Sequence, residues 1–188
     1  MATYSTLEEI KTGMQDDLFA DDPITLRSEQ RDAIDQAKER FCKRSGRRGE
    51  YQYEVLPEYR QFLWNAKMRF GKTICAMQLM RELDVKRTLI ITHRPVVDKG
   101  WHEDFKKIFG DMPQYSYATR MSDNDATGGD FYSLTRKVDA GERKLIFFVS
   151  MQYLRLSRFV GGKERNEDPL KKAIMQYDWD FVMVDEAH

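Results

Sequence analysis

Two unbroken apolar runs constrain the fold of this chain more than any other feature of its sequence. Residues 145–149 read Leu-Ile-Phe-Phe-Val, and residues 181–184 read Phe-Val-Met-Val. A strand with one face in water alternates apolar and polar residues, whereas these two runs do not. We therefore expect strands that are covered on both faces, as in a parallel sheet that carries helices on both sides.

The rest of the chain supports this layout, because strand-like and helix-like segments alternate along it. Residues 119–130 and the segment around Gly161 and Gly162 are polar and glycine-containing, and they read as loops. Residues 1–25 read as an N-terminal extension with an acidic connector. The predicted strands are 62–64, 88–92, 115–118, 145–150 and 181–184, and the predicted helices are 26–41, 72–83, 95–109 and 169–177.

The composition of the chain excludes several classes of protein. The 188 residues include 31 Lys+Arg and 31 Asp+Glu, so the net charge is zero and a generally basic nucleic-acid-binding surface is excluded. Cys42 and Cys75 lack the paired spacing of a disulfide framework or zinc ribbon, and the three histidines form no ligand cluster. No apolar stretch approaches the roughly 18 residues of a membrane span. We expect a reduced, cytoplasmic, soluble protein with no membrane partner.

The strongest chemical signal is a phosphate-binding loop between a predicted strand and a predicted helix. It matches the pattern G-x-x-x-x-G-K-[ST] except at its first position. In such a loop the backbone N–H groups and the helix N-terminus attract phosphates, Lys72 reaches the β- and γ-phosphates, and Thr73 offers its hydroxyl to Mg²⁺. The sequence therefore predicts ATP and Mg²⁺ as cofactors. The residues of the loop are Ala66, Lys67, Met68, Arg69, Phe70, Gly71, Lys72 and Thr73.

Two acids directly follow the last apolar run. Open α/β sheets bind ligands at the carboxyl ends of their strands, where Asp185 and Glu186 would lie. Asp185 would hold Mg²⁺, often through water, and Glu186 would polarise the attacking water as general base. Taken alone, the same pattern also fits a strand that enters a solvated turn.

These motifs resemble those of superfamily 2 helicases and translocases. Asp185-Glu186-Ala187-His188 resembles the DEAH form of motif II, and the phosphate loop resembles motif I, which usually begins with alanine in that family. Residues 26–34, Leu-Arg-Ser-Glu-Gln-Arg-Asp-Ala-Ile, resemble the upstream element of the restriction-enzyme branch. This resemblance implies that Gln30 reads the adenine edge. Arg69 departs from the glycine-rich form of many relatives, which bears on the loop conformation.

Two further segments resemble nucleic-acid contacts of the same family. Residues 89–94 with Trp101 are similar to motif Ia, although His93 stands where proline is usual, and residues 149–154 are similar to the serine/threonine-x-glutamine loop. The resemblance implies backbone contacts from Arg94, Ser150 and Gln152. As alternatives, Ser150 caps a helix, Gln152 is a solvated polar residue and Arg94 is a surface arginine.

The resemblance covers residues 26–188 and implies the first RecA-like lobe of a motor similar to type I and type III restriction subunits. It implies Mg²⁺-dependent ATP hydrolysis used to translocate on or unwind duplex DNA. The implied partners are the remaining lobes of the polypeptide and restriction or modification subunits. Since the family continues with a motif III strand and a second lobe, we expect a lobe that is incomplete after motif II. Such a lobe alone would be a weak ATPase, and its missing central strand would be replaced by direct pairing or a partner chain.

One alternative function remains open, and the sequence argues against two others. A nucleotide-dependent binding or assembly module that never translocates would differ from a motor in lacking DNA-stimulated hydrolysis. A kinase-like P-loop transferase would need an acceptor-binding lid, for which no motif exists, and Gln30 speaks against it. The D-x-x-G at 125–128 follows no strand, which argues against a GTPase.

The basic segment 43–49 fits a solvated connection better than a nucleic-acid contact. For Trp64, Trp101, Trp179, Met77 and Met80 we expect core packing.

Overall fold

A computed structural model confirms most of the predicted elements, with shifted ends. The helices are α1 (Ser28–Phe41), α2 (Lys72–Glu82), α3 (Asp98–Phe109), α4 (Phe131–Asp139), α5 (Met151–Leu154) and α6 (Pro169–Gln176). The strands are β1 (Cys42–Ser45), β2 (Gln52–Val55), β3 (Arg87–Thr92), β4 (Tyr115–Thr119), β5 (Lys144–Ser150), β6 (Phe159–Val160), β7 (Lys163–Glu164) and β8 (Phe181–Val184). The structure describes residues 24–46, 52–56, 58, 60–93, 98–119, 131–155, 159–160, 163–164 and 169–185. The predictions for residues 1–23, most of the 119–130 loop and Gly161–Gly162 fall outside these ranges.

The centre of the fold is a four-stranded sheet in the order β4-β5-β3-β8. Every neighbouring pair in it is parallel. Because parallel neighbours need long crossover connections, the intervening helices lie against the faces of the sheet. The predicted fold class is confirmed: this is an α/β lobe of RecA-like type with a parallel sheet between helices.

Strand β5 supplies both faces of the core, as its unbroken apolar run predicts. Ile146 and Phe148 join one buried cluster with α2 and α3, which includes Met77, Met80 and Trp101. Leu145, Phe147 and Val149 join a second buried cluster with α4 and α6 on the other face, against which Trp179 packs. All residues of β5 after Lys144 are buried.

The prediction that residues 181–184 are covered on both faces is wrong. The burial of β8 alternates, and Val182 and Val184 are 50% and 44% exposed. The reason is position, because β8 pairs only with β3 among the described strands and forms the edge of the sheet. Its apolar run therefore belongs to a strand that pairs with a described neighbour on one side only.

The predicted strand at residues 62–64 is also wrong. Residues 60–67 belong to neither a helix nor a strand, and they pair with no strand in the described part of the chain. Trp64 is instead held by a tertiary contact, because its indole N–H donates to the carbonyl oxygen of Ala33 at 3.1 Å. Phe62 and Leu63 are exposed.

One helix and two antiparallel hairpins were not foreseen: α4, the hairpin of β1 with β2, and the hairpin of β6 with β7. The period of α4 is visible in its buried residues Phe131, Leu134 and Val138, which sit at helical spacing. The first part of the basic segment 43–49 is strand β1 and not a loop. The ring of Phe41, just before β1, lies 5.8 Å from that of Phe181 at the start of β8, so this hairpin leaves from the amino edge of the sheet. No helix of the described residues is long and apolar enough to cross a membrane.

Candidate nucleotide site

The order and lengths of the elements indicate that the phosphate loop and Asp185 lie at the same edge of the sheet. Helix α2 leads into β3 through a short connection, so it runs back along the sheet in the opposite direction to that strand. Its 11 residues span about 16 Å, close to the roughly 20 Å of a six-residue strand, so its first turn is level with the carboxyl end of β3. Asp185 is at that end too, since its backbone N–H donates to the carbonyl oxygen of Ile91 at 2.9 Å.

Gly71 connects the phosphate loop to α2. It is the N-cap residue with φ 87° and ψ 39°, a left-handed conformation that glycine adopts without steric cost. A Cβ atom at this position would lie 2.5 Å from Nε2 of Gln30. Only glycine therefore fits here, and the half-buried Lys72 and Thr73 follow directly in the first turn of α2. The unpaired N–H groups of such a turn form an anion site.

Arg69 occupies the loop position where the resemblance expects a glycine. Its φ is 61°, so an arginine holds the left-handed conformation at a cost of about 1–2 kcal/mol. The N–H of Phe70 donates to the carbonyl oxygen of Lys67 at 3.3 Å and closes the turn around it. Lys67, Met68 and Arg69 are all exposed, with Met68 91% exposed. The loop therefore has, at Arg69, the left-handed backbone conformation that glycine usually adopts.

Gln30 and Arg27 fasten this loop to α1. Nε2 of Gln30 donates to the carbonyl oxygen of Phe70 at 2.8 Å, and Nη2 of Arg27 donates to the same oxygen at 2.5 Å. Oε1 of Gln30 accepts from the backbone N–H of Arg27 at 2.9 Å and so caps the start of α1. The role of Arg27 was missed, although it lies in the same sequence element as Gln30.

A charged cluster along α1 and α2 was also missed. Glu82 on α2 accepts from Arg31 at 2.5 Å, from Lys38 at 2.7 Å and from Gln78 at 2.9 Å. Asp35 also accepts from Arg31, at 2.7 Å. Burial opposes ionisation of Glu82, but the hydrogen bonds from its three donors outweigh burial and lower its pKa to about 2. The same hydrogen bond to Glu82 raises the pKa of Arg31. These contacts fix α1, which carries Gln30, on the helix of the phosphate loop.

The residues predicted for nucleic-acid contact are only partly described. Ser150 ends β5 opposite Thr92 in the register, at the same carboxyl edge as the loop. Its Oγ accepts from the backbone N–H of Tyr153 at 3.2 Å, so it caps α5, as the alternative interpretation predicted. Gln152 is exposed. The predicted residues Arg94, Glu186 and His188 lie outside the described residues.

Comparison with known proteins gives one family match and one relative. The family described as "Type III restriction enzyme, res subunit" matches residues 23–188. A Mycoplasma pneumoniae protein with the provisional name of a type II restriction enzyme and methyltransferase, C-terminus, is 25% identical over 136 residues. The match covers 72% of this chain and 18% of that protein, so the chain spans less than a fifth of this relative.

Proposed function

Because the chain belongs to the family of type III restriction enzyme res subunits, a helicase-like P-loop family, we propose that it is the ATP-binding lobe of a motor that acts on DNA. Residues 26–188 form this lobe, and residues 1–25 are an extension to it. The observation that carries the proposal is that the phosphate loop leads directly into α2, while Asp185 follows the last strand of the parallel sheet at its carboxyl edge. Ligands bind at this edge in open α/β sheets.

The residues at this edge fit a magnesium–ATP complex. Gly71 itself carries no side chain at the start of α2, and the side chain that approaches it is the amide of Gln30. The backbone N–H groups of such a helix start attract phosphate oxygens. Lys72 supplies the charge that faces the β- and γ-phosphates, and Thr73 and Asp185 supply the oxygen ligands that Mg²⁺ prefers. Bound Mg²⁺ would neutralise phosphate charge during hydrolysis. Glu186 is proposed as the general base for the attacking water.

Gln30 is proposed to read the adenine edge while it holds the loop. An amide side chain has two N–H donors and two acceptor lone pairs. Its bonds to Phe70 and Arg27 use one of each, which leaves one donor and one acceptor for a nucleobase. In this arrangement the group that recognises the base also contacts the loop that holds the phosphates.

Two substitutions test the nucleotide site. Lys72→Ala should abolish ATP binding measured by calorimetry, because it removes the cation that faces the terminal phosphates. Lys86→Ala removes an exposed lysine at the amino edge of the sheet and should leave binding unchanged. Unchanged affinity in Lys72→Ala would reject the site.

The hydrolytic roles can be separated in the protein that carries the complete motor. Glu186→Gln should keep Mg²⁺–ATP binding and lose turnover, whereas Asp185→Asn should weaken the metal-dependent part of binding. Near-normal turnover of Glu186→Gln would reject the general-base role.

DNA is proposed as the partner on family grounds, with Arg94, Ser150 and Gln152 as its contacts. Duplex DNA should then stimulate ATP turnover, and other lobes and restriction or modification subunits would complete the machine. Turnover that does not respond to DNA would instead favour a nucleotide-dependent binding or assembly module.

A further inference from the structure

Arg69 carries a side chain that the loop itself does not use. Among the described residues, two that are not glycine have a positive φ, Arg69 and Asp84. Asp84 uses its carboxylate in its own surroundings, where it accepts from Tyr115 at 3.2 Å and pairs with Lys144. Within the described part of the chain, the Arg69 guanidinium has neither a hydrogen bond nor an ion pair. Local contacts therefore explain Asp84 but not Arg69.

The backbone around Arg69 is held from both sides. The turn from Lys67 to Phe70 closes behind it, and the carbonyl oxygen of Phe70 accepts from both Arg27 and Gln30. These contacts do not involve the Arg69 side chain, so they can hold the same backbone around another residue. Glycine would meet the conformational requirement without strain, so the value of arginine at this position must lie in its side chain.

The location of that side chain suggests its ligand. Arg69 is exposed and lies three residues before Lys72, in the loop whose exit forms the N-terminal turn of α2. A guanidinium offers a planar set of donors that binds phosphate oxygens in a bidentate manner, with a charge that persists at any working pH. The phosphates of a nucleotide at this turn are anionic groups of the kind that a guanidinium binds.

We propose that the Arg69 guanidinium binds the terminal phosphates of the nucleotide and makes the site selective for triphosphates over monophosphates. This inference rests on the proposed ATP site. The loop would then combine two means of phosphate recognition. Its backbone N–H groups act as in glycine-rich loops, while a side chain adds a cation beside Lys72.

The test compares ATP, ADP and AMP affinities at constant Mg²⁺ and ionic strength. Arg69→Gly should weaken ATP binding about tenfold and leave AMP binding within twofold. Its thermal midpoint without nucleotide should be equal to or higher than that of the wild-type protein, because the strain is relieved. Arg69→Lys keeps the charge but loses the planar fork, so its ATP affinity should be intermediate. Lys86→Ala serves as the charge control.

Each other outcome has a definite meaning. ATP affinity of Arg69→Gly within twofold of wild type would overturn the proposal, as would an equal loss for ATP and AMP, which would indicate a purely structural role. The Lys72→Ala variant distinguishes a failure of the proposed ATP site from a failure of the role proposed for Arg69. If Lys72→Ala loses ATP and Arg69→Gly does not, the nucleotide site stands and the role of Arg69 fails. If Lys72→Ala still binds ATP normally, the site itself is wrong.

Discussion

Replacing Glu82 with glutamine should destabilise the protein strongly at neutral pH. The carboxylate is only 18% exposed and accepts from Arg31, Lys38 and Gln78. A neutral amide has a single acceptor oxygen, and its NH₂ group would face the ammonium of Lys38, which is 12% exposed. The change therefore removes a carboxylate that accepts from a mostly buried cation, which is costly.

The magnitude follows from the pKa of Glu82. It falls from an ordinary 4.5 to about 2 in the folded protein, because the three donors outweigh the effect of burial. A shift of this size corresponds to about 3 kcal/mol of folding free energy. Since the folded-state pKa is depressed, this contribution is fully present above pH 4.5 and is lost as the pH falls towards 2. We expect Glu82→Gln to lose about 2–3 kcal/mol at pH 7.

Urea unfolding of both proteins between pH 7 and pH 3 measures this effect. The difference in unfolding free energy between wild type and Glu82→Gln should shrink steadily below about pH 4.5. The matched control is Glu39→Gln on α1, whose carboxylate is 61% exposed and lies 3.7 Å from Arg44. It should change stability by less than about 0.5 kcal/mol. Equal losses in the two variants, or a Glu82 effect that does not depend on pH, would refute the reasoning.

Three more predictions use other parts of the fold. Gly71→Ala should lower both stability and nucleotide affinity, because its Cβ would lie 2.5 Å from Gln30. The control for backbone strain in the same melting and binding assays is Gly141→Ala, because Gly141 has φ 77° and its Cβ would have no neighbouring atom within 4 Å. Ser150→Ala should cost about 1 kcal/mol in urea unfolding, since it removes the cap of α5. A reduced DNA affinity in that variant beyond its stability loss would point to a direct contact. Val182→Lys should leave stability nearly unchanged and reduce light scattering on heating, because this half-exposed residue lies on an open sheet edge. A large destabilisation would mean that another segment covers the edge.

Local sequence pattern was sufficient for much of the fold. The apolar run of β5 predicted a strand buried on both faces, and its alternate residues do enter two separate cores. The pattern Gly71-Lys72-Thr73 predicted the start of α2 to the residue. These features depend on interactions between near neighbours in the chain, such as helix periodicity and the steric freedom of glycine, so they can be read directly.

The same patterns failed where a distant segment decides the outcome. Residues 62–64 have the composition of a strand but lack a neighbour to pair with among the described residues, and β8 has the composition of a central strand but lies at an edge. A strand exists only through hydrogen bonds to another strand, and composition does not report whether that partner is present.

The sequence by itself determined most of the helices and central strands, the parallel α/β class and the phosphate-loop pattern before α2, because each follows from residues close together in the chain. Only the tertiary structure decided that Gln30 and Arg27 hold Phe70, that Glu82 joins α1 to α2 and that Arg69 keeps a left-handed backbone. Those contacts link residues 40 or more positions apart, or depend on a turn that such contacts hold in place. Side-chain geometry of this kind arises only when the helices have packed.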